Sequence, residues 1–300
     1  MSESLHTADG RTVLRMERRL SHPPEKVWRA LTEPAHISEW FPSDMEMDLR
    51  HGGTIRFVFR AGEGPTMEGA IKELDPPKVF AYTWGEELLR WELHPDGDGT
   101  LLVLEHSFAD HYGAADFAAG WHTCINALAA LLASRPVPLD ADPFQIHQLH
   151  EQYVHVLGLD QGTVGTTADG WVVRFERQLT GTVEAAWAAL VGGHAPAAGD
   201  PAPAAATVAG VPALAVTVAE PPTLLEYAWG GPGGEAGPAG LVRWELAKGT
   251  WHGARLVLTQ TGPAGRTAER ATALAAWATH VDHLAKRLLA GQAAEPPAAK

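Results

Sequence analysis

Apolar and polar positions alternate with a period of two through most of the first half of the chain. The alternation predicts a strand at residues 12–20 and six further strands between residues 45 and 108, separated by turn residues. Residues 21–31 carry helix start signals instead, and residues 35–40 favour a second short helix. Because the connections are short, we expect consecutive antiparallel hairpins.

A long helix is predicted to close this series of strands. Residues 113–134 place Phe117, Trp121, Ile125 and Leu128 at helical spacing, so the helix buries one wide face. The element order predicts an α+β fold in which a curved antiparallel sheet lies around the long C-terminal helix. Such an arrangement commonly leaves a ligand cavity between the sheet and the helix.

The chain then repeats the same motifs in the same order. Residues 13–31 match residues 172–190 at nine of nineteen positions, and the Arg-Trp-Glu-Leu of residues 90–93 recurs at residues 243–246. We therefore predict two domains of one fold. The predicted organisation is a complete domain at residues 1–135, a linker at 136–168 with a docking helix at 144–157, a degenerate domain at 169–290 and a disordered tail at 291–300.

The second copy is predicted to be trimmed. The spacing between its first helix and its fourth strand is 14 residues shorter, and residues 192–206 are rich in Pro, Ala and Gly, which favour neither a helix nor a ladder. We expect this copy to lack the short helix and two strands, and so to expose sheet surface that the first domain or the docking helix must cover. Residues 158–170 and 231–240 are expected to be flexible.

Composition narrows the classes of function. The net charge of -13 and the absence of basic runs disfavour nucleic acid and anionic membranes as partners. The single cysteine, Cys124, allows no intramolecular disulfide, and the N-terminal residues do not resemble a signal peptide. No apolar stretch approaches the roughly 20 residues that span a bilayer. We therefore expect a cytoplasmic protein.

Several short motifs, taken in order, resemble a known family. They are Glu17-Arg18, Pro24-Glu25, Val27-Trp28, Trp40-Phe41, Gly52-Gly53, Asp75-Pro76-Pro77, Trp84 and Trp121. Residues 10–135, and more weakly 168–290, are similar to the activator of heat-shock-protein ATPase homologue family of the START-like, helix-grip (SRPBCC) superfamily. The resemblance implies a helix-grip fold with a hydrophobic cavity. It implies no single reaction, because such proteins include lipid carriers, polyketide cyclases, ligand sensors and chaperone-binding modules.

The bulky side chains assigned to the concave face are the predicted ligand-binding residues, and those without a counterpart in the trimmed copy are the stronger candidates. The set is Trp40, Met45, Met47, Phe57, Phe59, Met67, Tyr82, Trp84, Trp91, His106, Phe117 and Trp121.

His106 and His122 are the candidate catalytic residues, since a cavity-facing imidazole can transfer protons near neutral pH. The alternative is a hydrogen-bonded core histidine, or a solvated helix flank for His122. Glu92 and Glu105 are expected to face solvent. His147, His150 and His155, like His280 and His283, have spacings that a metal could use, but a solvated polar face is favoured, so no metal site and no cofactor are predicted.

Two classes of function remain open. In one, the first domain binds a small apolar or aromatic molecule as a carrier, a sensor or a polyketide cyclase-like enzyme. In the other, the acidic surface makes the chain a protein-interaction module that acts on a chaperone or a regulatory partner. The sequence does not decide whether the chain is an enzyme.

Overall fold

The computed structural model describes residues 2–60, 66–137, 142–193, 195–231, 237–251 and 253–293. The chain divides into two compact units, Met1–Leu149 and His150–Lys300. Each contains one antiparallel sheet and at least one long helix, which is the predicted α+β class. The described helices include none long and apolar enough to cross a membrane.

The first unit contains an eight-stranded sheet. Its elements are β1 (Ser2–Ala8), β2 (Arg11–Leu20), α1 (Pro24–Thr32), α2 (Pro34–Ile37), β3 (Ser43–Met47), β4 (Thr54–Phe59), β5 (Met67–Asp75), β6 (Val79–Trp84), β7 (Glu87–Asp96), β8 (Gly99–Phe108), a 3₁₀ turn (His111–Gly113) and α3 (Ala114–Leu132). The strand order is β1-β2-β8-β7-β6-β5-β4-β3. Helix α3 buries Phe117, Trp121, Ile125 and Leu128, as the helical spacing predicts. Helix α4 (Pro143–Val156) follows.

Strand β1 was not among the predicted strands. It pairs with all of β2 up to Glu17 through a two-residue turn at Asp9-Gly10, where both residues have positive φ angles of 51° and 73°. Asp-Gly favours this type of hairpin turn, because its backbone twist matches that of the strands. The sequence therefore carries the signal for this hairpin. In the second unit the corresponding turn is Ala168-Asp169, because Gly170 already pairs with Thr167.

The second unit contains a six-stranded sheet in the order β11-β12-β13-β14-β10-β9. Its elements are β9 (Thr163–Thr167), β10 (Gly170–Leu179), α5 (Val183–Val191), a 3₁₀ turn (Ala204–Ala206), β11 (Ala213–Glu220), β12 (Leu224–Gly230), β13 (Pro238–Lys248), β14 (Ala254–Pro263) and α6 (Thr267–Ala293). This order matches β5-β6-β7-β8-β2-β1. Among the described residues, β3, β4 and α2 have no counterpart, so the second copy is trimmed as predicted.

Two expectations differ from the structure: one concerns the flexible linker, and the other concerns the exposed sheet of the second unit. Residues 158–170 contain β9, which pairs with β10, so this stretch is not a free linker. Residues 192–206 do not leave the sheet bare, and that expectation is wrong. Ala206 and Val211 are buried in the core of the second unit, and the amide of Gly199 donates to the carbonyl of Val216 at 2.9 Å.

Aromatic donors explain how an irregular segment can lie in a core. The hydroxyl of Tyr227 donates to the carbonyl of Ala206 at 2.7 Å, and Nε1 of Trp244 donates to the same carbonyl at 3.3 Å. Buried backbone carbonyls need such partners wherever no ladder supplies them. The segment therefore covers its own sheet. Residues 232–236 of the expected hairpin loop and 294–300 of the expected tail lie outside the described residues, and α6 extends to Ala293.

Candidate functional site

Most of the predicted ligand-binding side chains form one buried aromatic cluster on the concave face of the first sheet. Eight of the twelve are buried: Trp40, Met45, Phe57, Tyr82, Trp91, His106, Phe117 and Trp121. The rings touch across elements: the centroid of Trp91 lies 5.5 Å from that of Trp121 on α3 and 5.9 Å from that of Trp40. The sheet, the segment after α2 and helix α3 therefore meet through aromatic rings.

Phe41 belongs to this cluster, although it was not selected as a site residue. It is 1% exposed, and its ring centroid lies 5.6 Å from that of Trp84, 6.0 Å from that of Trp121 and 6.5 Å from that of Phe57. The adjacent Trp40 donates its Nε1 to the carbonyl of Ala30 at 2.9 Å, which fixes the segment after α2. The signal for Phe41 in the sequence is its position directly after Trp40, which is among the predicted ligand-binding residues.

The other four predicted residues, Met47, Phe59, Met67 and Trp84, are half-buried. Phe59 ends β4, Met67 begins β5 and Trp84 ends β6, so these three lie at one end of the sheet. The rings of Phe59 and Trp84 are stacked, with centroids 6.3 Å apart, and Met67 pairs with Phe57 across the strands. This end of the cluster is apolar and partly open, whereas Met47 is half-buried at the opposite end of β3.

His106 is fully buried and both of its ring nitrogens are engaged. Nε1 of Trp121 donates to Nδ1 of His106 at 3.1 Å, and Nε2 of His106 lies 2.8 Å from a carboxylate oxygen of Glu87. An indole N–H can only donate, so Nδ1 is the acceptor and Nε2 carries the proton that is donated to Glu87. Burial lowers the pKa of His106, although Glu87 acts in the opposite direction. The imidazole is therefore neutral near pH 7.

The second unit repeats the central contact of this network with a different residue. In β14, Gln260 occupies the position that His106 occupies in β8, and Nε1 of Trp277 donates to its Oε1 at 2.5 Å. A glutamine accepts this hydrogen bond but transfers no proton at neutral pH. The shared feature of both copies is thus an acceptor for a buried tryptophan. This similarity favours a structural role for His106.

His122 lies half-buried on α3. Burial and the charge of Arg18 lower its pKa, while Glu3 acts in the opposite direction. Arg18 is itself 5% exposed and forms an ion pair with Glu3 at 2.6 Å. The structure therefore places His122 near the charged pair between β1 and β2, and the two candidate catalytic histidines have different surroundings.

Glu92 and Glu105 are held in ion pairs, and the thiol of Cys124 is unreactive. Glu92 forms an ion pair with Arg90 at 2.7 Å, and Glu105 forms one with Arg15 at 3.2 Å, as expected for carboxylates on the outer face. Burial raises the pKa of the Cys124 thiol to about 12, so the thiol is protonated and unreactive near neutral pH.

The histidines whose spacing would suit a metal lie on α4 and α6. The described part of the chain contains no group of three or more metal-ligating side chains. On α6, a depression of about 450 Å³ is lined by His280, His283, Lys286, Arg287 and Ala290. His280 hydrogen-bonds the carbonyl of Ala205 at 2.9 Å, and two neighbouring side chains are permanent cations. Such surroundings repel a metal ion.

Comparisons with known proteins agree with the family resemblance. Residues 21–133 match the family model described as Activator of Hsp90 ATPase homolog 1-like protein. The first unit is therefore similar to this family over most of its length. The model matches fewer than half of the residues of the chain. A comparison with curated proteins finds no match.

Solved structures similar to this chain each cover about half of it. CalU16 from Micromonospora echinospora is 23% identical, with 52% of this chain and 94% of that chain covered and a TM-score of 0.42. EF2215 from Enterococcus faecalis, a conserved protein of unknown function, is 22% identical, with 51% and 89% covered and a TM-score of 0.43. MLL2253 from Mesorhizobium loti is 28% identical, with 43% and 99% covered and a TM-score of 0.36.

Proposed function

We propose that the AHSA1-like unit binds one small apolar or aromatic molecule per chain, between its sheet and helix α3. The observation that carries the proposal is the half-buried end of the aromatic cluster, formed by Phe59, Met67 and Trp84. Large apolar side chains that remain partly exposed on a concave face are typical of a ligand site. A methionine in this wall adapts to ligands of several shapes, because its side chain is unbranched and flexible.

The restriction to one site per chain follows from the difference between the two units. The second unit has no described counterpart of β3 and β4, and the segment with Ala206 and Val211 packs against its sheet instead. The carbonyl of Ala206 accepts hydrogen bonds from Tyr227 and Trp244, the counterparts of Tyr82 and Trp91. A ligand in the equivalent place of the second unit would have to displace this segment.

Binding as a carrier or a sensor is favoured over catalysis. Both nitrogens of His106 are already hydrogen-bonded, and a general acid or base must be able to reach the proton of its substrate. The pKa of His106 is lowered, so the ring carries little positive charge near pH 7. Any rate effect in this site would come from shape and desolvation and not from a proton-transferring residue.

The test compares two neighbouring positions on β4. Phe59 and Val58 are both half-buried but point to opposite faces of the sheet. Phe59→Asp places a carboxylate in the proposed site, and Val58→Asp places the same group outside it. Titration of the full chain with the neutral fluorescent probe phenylnaphthylamine should give one site per chain.

We expect the Phe59→Asp variant to bind the probe at least about tenfold more weakly, because the carboxylate must be desolvated against the ligand. The Val58→Asp variant should bind as the natural chain does. Circular dichroism of both variants checks that the fold is intact. Two sites per chain, or equal weakening in the two folded variants, would contradict the proposal. Absence of probe binding together with a specific protein partner would favour the interaction-module alternative.

A further inference from the structure

One pair of equivalent tryptophans differs in its hydrogen bonding between the two units. Trp84 ends β6, and its counterpart Trp229 lies near the end of β12. Nε1 of Trp229 donates to the carbonyl of Thr261 at 2.7 Å. Nε1 of Trp84 is also inaccessible to solvent, but it has no hydrogen-bond partner among the described residues. The same residue is thus satisfied only in the unit that is proposed to hold no ligand.

A second polar atom without a partner lies on the same wall. Ser43 is fully buried, and its Oγ has no partner among the residues that the structure describes. It alternates with Met45 and Met47 on β3, so the three share the concave face. Ser43 pairs across the strands with Phe59, whose ring stacks on Trp84. The two polar groups therefore flank the same phenylalanine.

Buried donors without partners are rare and costly in folded proteins. Apolar rings surround Trp84: the ring centroids of Phe41, Phe57, Phe59 and Trp121 all lie within 6.3 Å of its own. One of these rings, Phe59, is the cross-strand partner of Ser43. An indole N–H can only donate, and a serine hydroxyl can donate as well. Both groups are complementary to a hydrogen-bond acceptor that is carried by an otherwise apolar molecule.

We propose that the ligand of the first unit is an aromatic molecule with a carbonyl-type oxygen, which accepts hydrogen bonds from Nε1 of Trp84 and Oγ of Ser43. This inference rests on the proposed ligand site and adds the chemical class of the ligand. The rings supply apolar contact, and the two donors select for the oxygen. A site built to donate to an oxygen discriminates against analogues that lack it, because its buried donors then stay unpaired.

The test uses two probes that differ in a single group. Acetylnaphthalene carries a carbonyl oxygen, and isopropenylnaphthalene carries a methylene in its place. Calorimetric titration of the full chain with each probe gives the ratio of the two dissociation constants. The ratio is compared among the natural chain, Trp84→Phe, Ser43→Ala and the matched control Trp229→Phe.

We expect Trp84→Phe to shift the ratio against the ketone by about three- to tenfold, the value of one net hydrogen bond. Ser43→Ala should shift it in the same direction, and Trp229→Phe should leave it unchanged because that N–H is satisfied inside the second unit. An unchanged ratio in both first-unit variants would overturn the inference while leaving the ligand site intact. Failure of both probes to bind the natural chain would instead count against the proposed function.

A spectroscopic measurement on the natural chain covers the case in which Trp84→Phe does not fold. In a ¹H–¹⁵N spectrum, one indole resonance should move downfield when the ketone binds, as expected for a new hydrogen bond, and should not do so with the hydrocarbon. Loss of that resonance in Trp84→Tyr identifies it. Equal shifts with both probes would contradict the hydrogen bond.

Discussion

Replacing His106 separates its role as an acceptor from its capacity to bind a proton. In His106→Gln, the amide oxygen can still accept from Nε1 of Trp121, as Gln260 does for Trp277. In His106→Leu, that indole N–H stays buried without a partner. We expect the leucine variant to lose about 1–3 kcal/mol of first-unit stability near neutral pH, and the glutamine variant to lose less. Glu87 is 30% exposed and can be hydrated when the imidazole is removed.

The pH dependence gives a second and sharper signature. The folded-state pKa of His106 is lowered by burial, so the unfolded chain, in which a histidine titrates near pH 6.5, binds the proton first as the pH falls. The unfolded state then holds more protons and the stability falls with the pH. A drop from about pH 7.5 to about pH 5.5 can cost up to about 1.4 kcal/mol through this one group, because one pKa unit corresponds to about 1.4 kcal/mol. In His106→Gln, this contribution is absent.

Native-state hydrogen exchange, read by mass spectrometry on peptides from β8 and α3, measures the stability of the first unit separately from the second. The natural chain and His106→Gln are compared at the same pH, so that intrinsic exchange rates cancel. The stability difference between them should narrow as the pH falls. If the difference stays constant from about pH 7.5 to about pH 5.5, the buried imidazole is not the neutral acceptor inferred here. If His106→Leu is as stable as His106→Gln, the acceptor role is refuted.

Two predictions concern the second unit. Arg177 is 1% exposed and forms an ion pair with Glu151 on α4. Glu151→Ala should therefore destabilise this unit by about 3–5 kcal/mol in urea unfolding. The control Glu245→Ala removes a half-exposed ion pair with Arg243 and should cost less than about 1 kcal/mol. Equal losses would contradict this difference. Ala206→Asp should destabilise the same unit by several kcal/mol, because it buries a carboxylate in the core. Unchanged urea unfolding would show that the segment around Ala206 does not cover the sheet.

The sequence by itself determined the repeated α+β architecture. Period-two alternation, helical spacing around Trp121 and recurrence of the Arg-Trp-Glu-Leu motif are local or pairwise patterns, and they required the same strands and closing helix in both copies. The Asp9-Gly10 turn shows that even the missed strand β1 had a local signal. The loss of two strands from the second copy was likewise visible as a change of spacing between matched motifs.

Only the tertiary structure decided how polar groups are satisfied. Alternation places His106 on the concave face, but whether its nitrogens are available depends on Trp121, which is 15 positions away, and on Glu87 across the sheet. The cover formed by the Ala206 segment depends on donors from Tyr227 and Trp244, which are 21 and 38 positions away in the sequence. Hydrogen bonds are short and directional, so partners distant in the chain are fixed only once the packing of sheet and helix is complete. The hydrophobic pattern can therefore be recognised in the sequence, whereas the hydrogen bonds of the site depend on the tertiary structure.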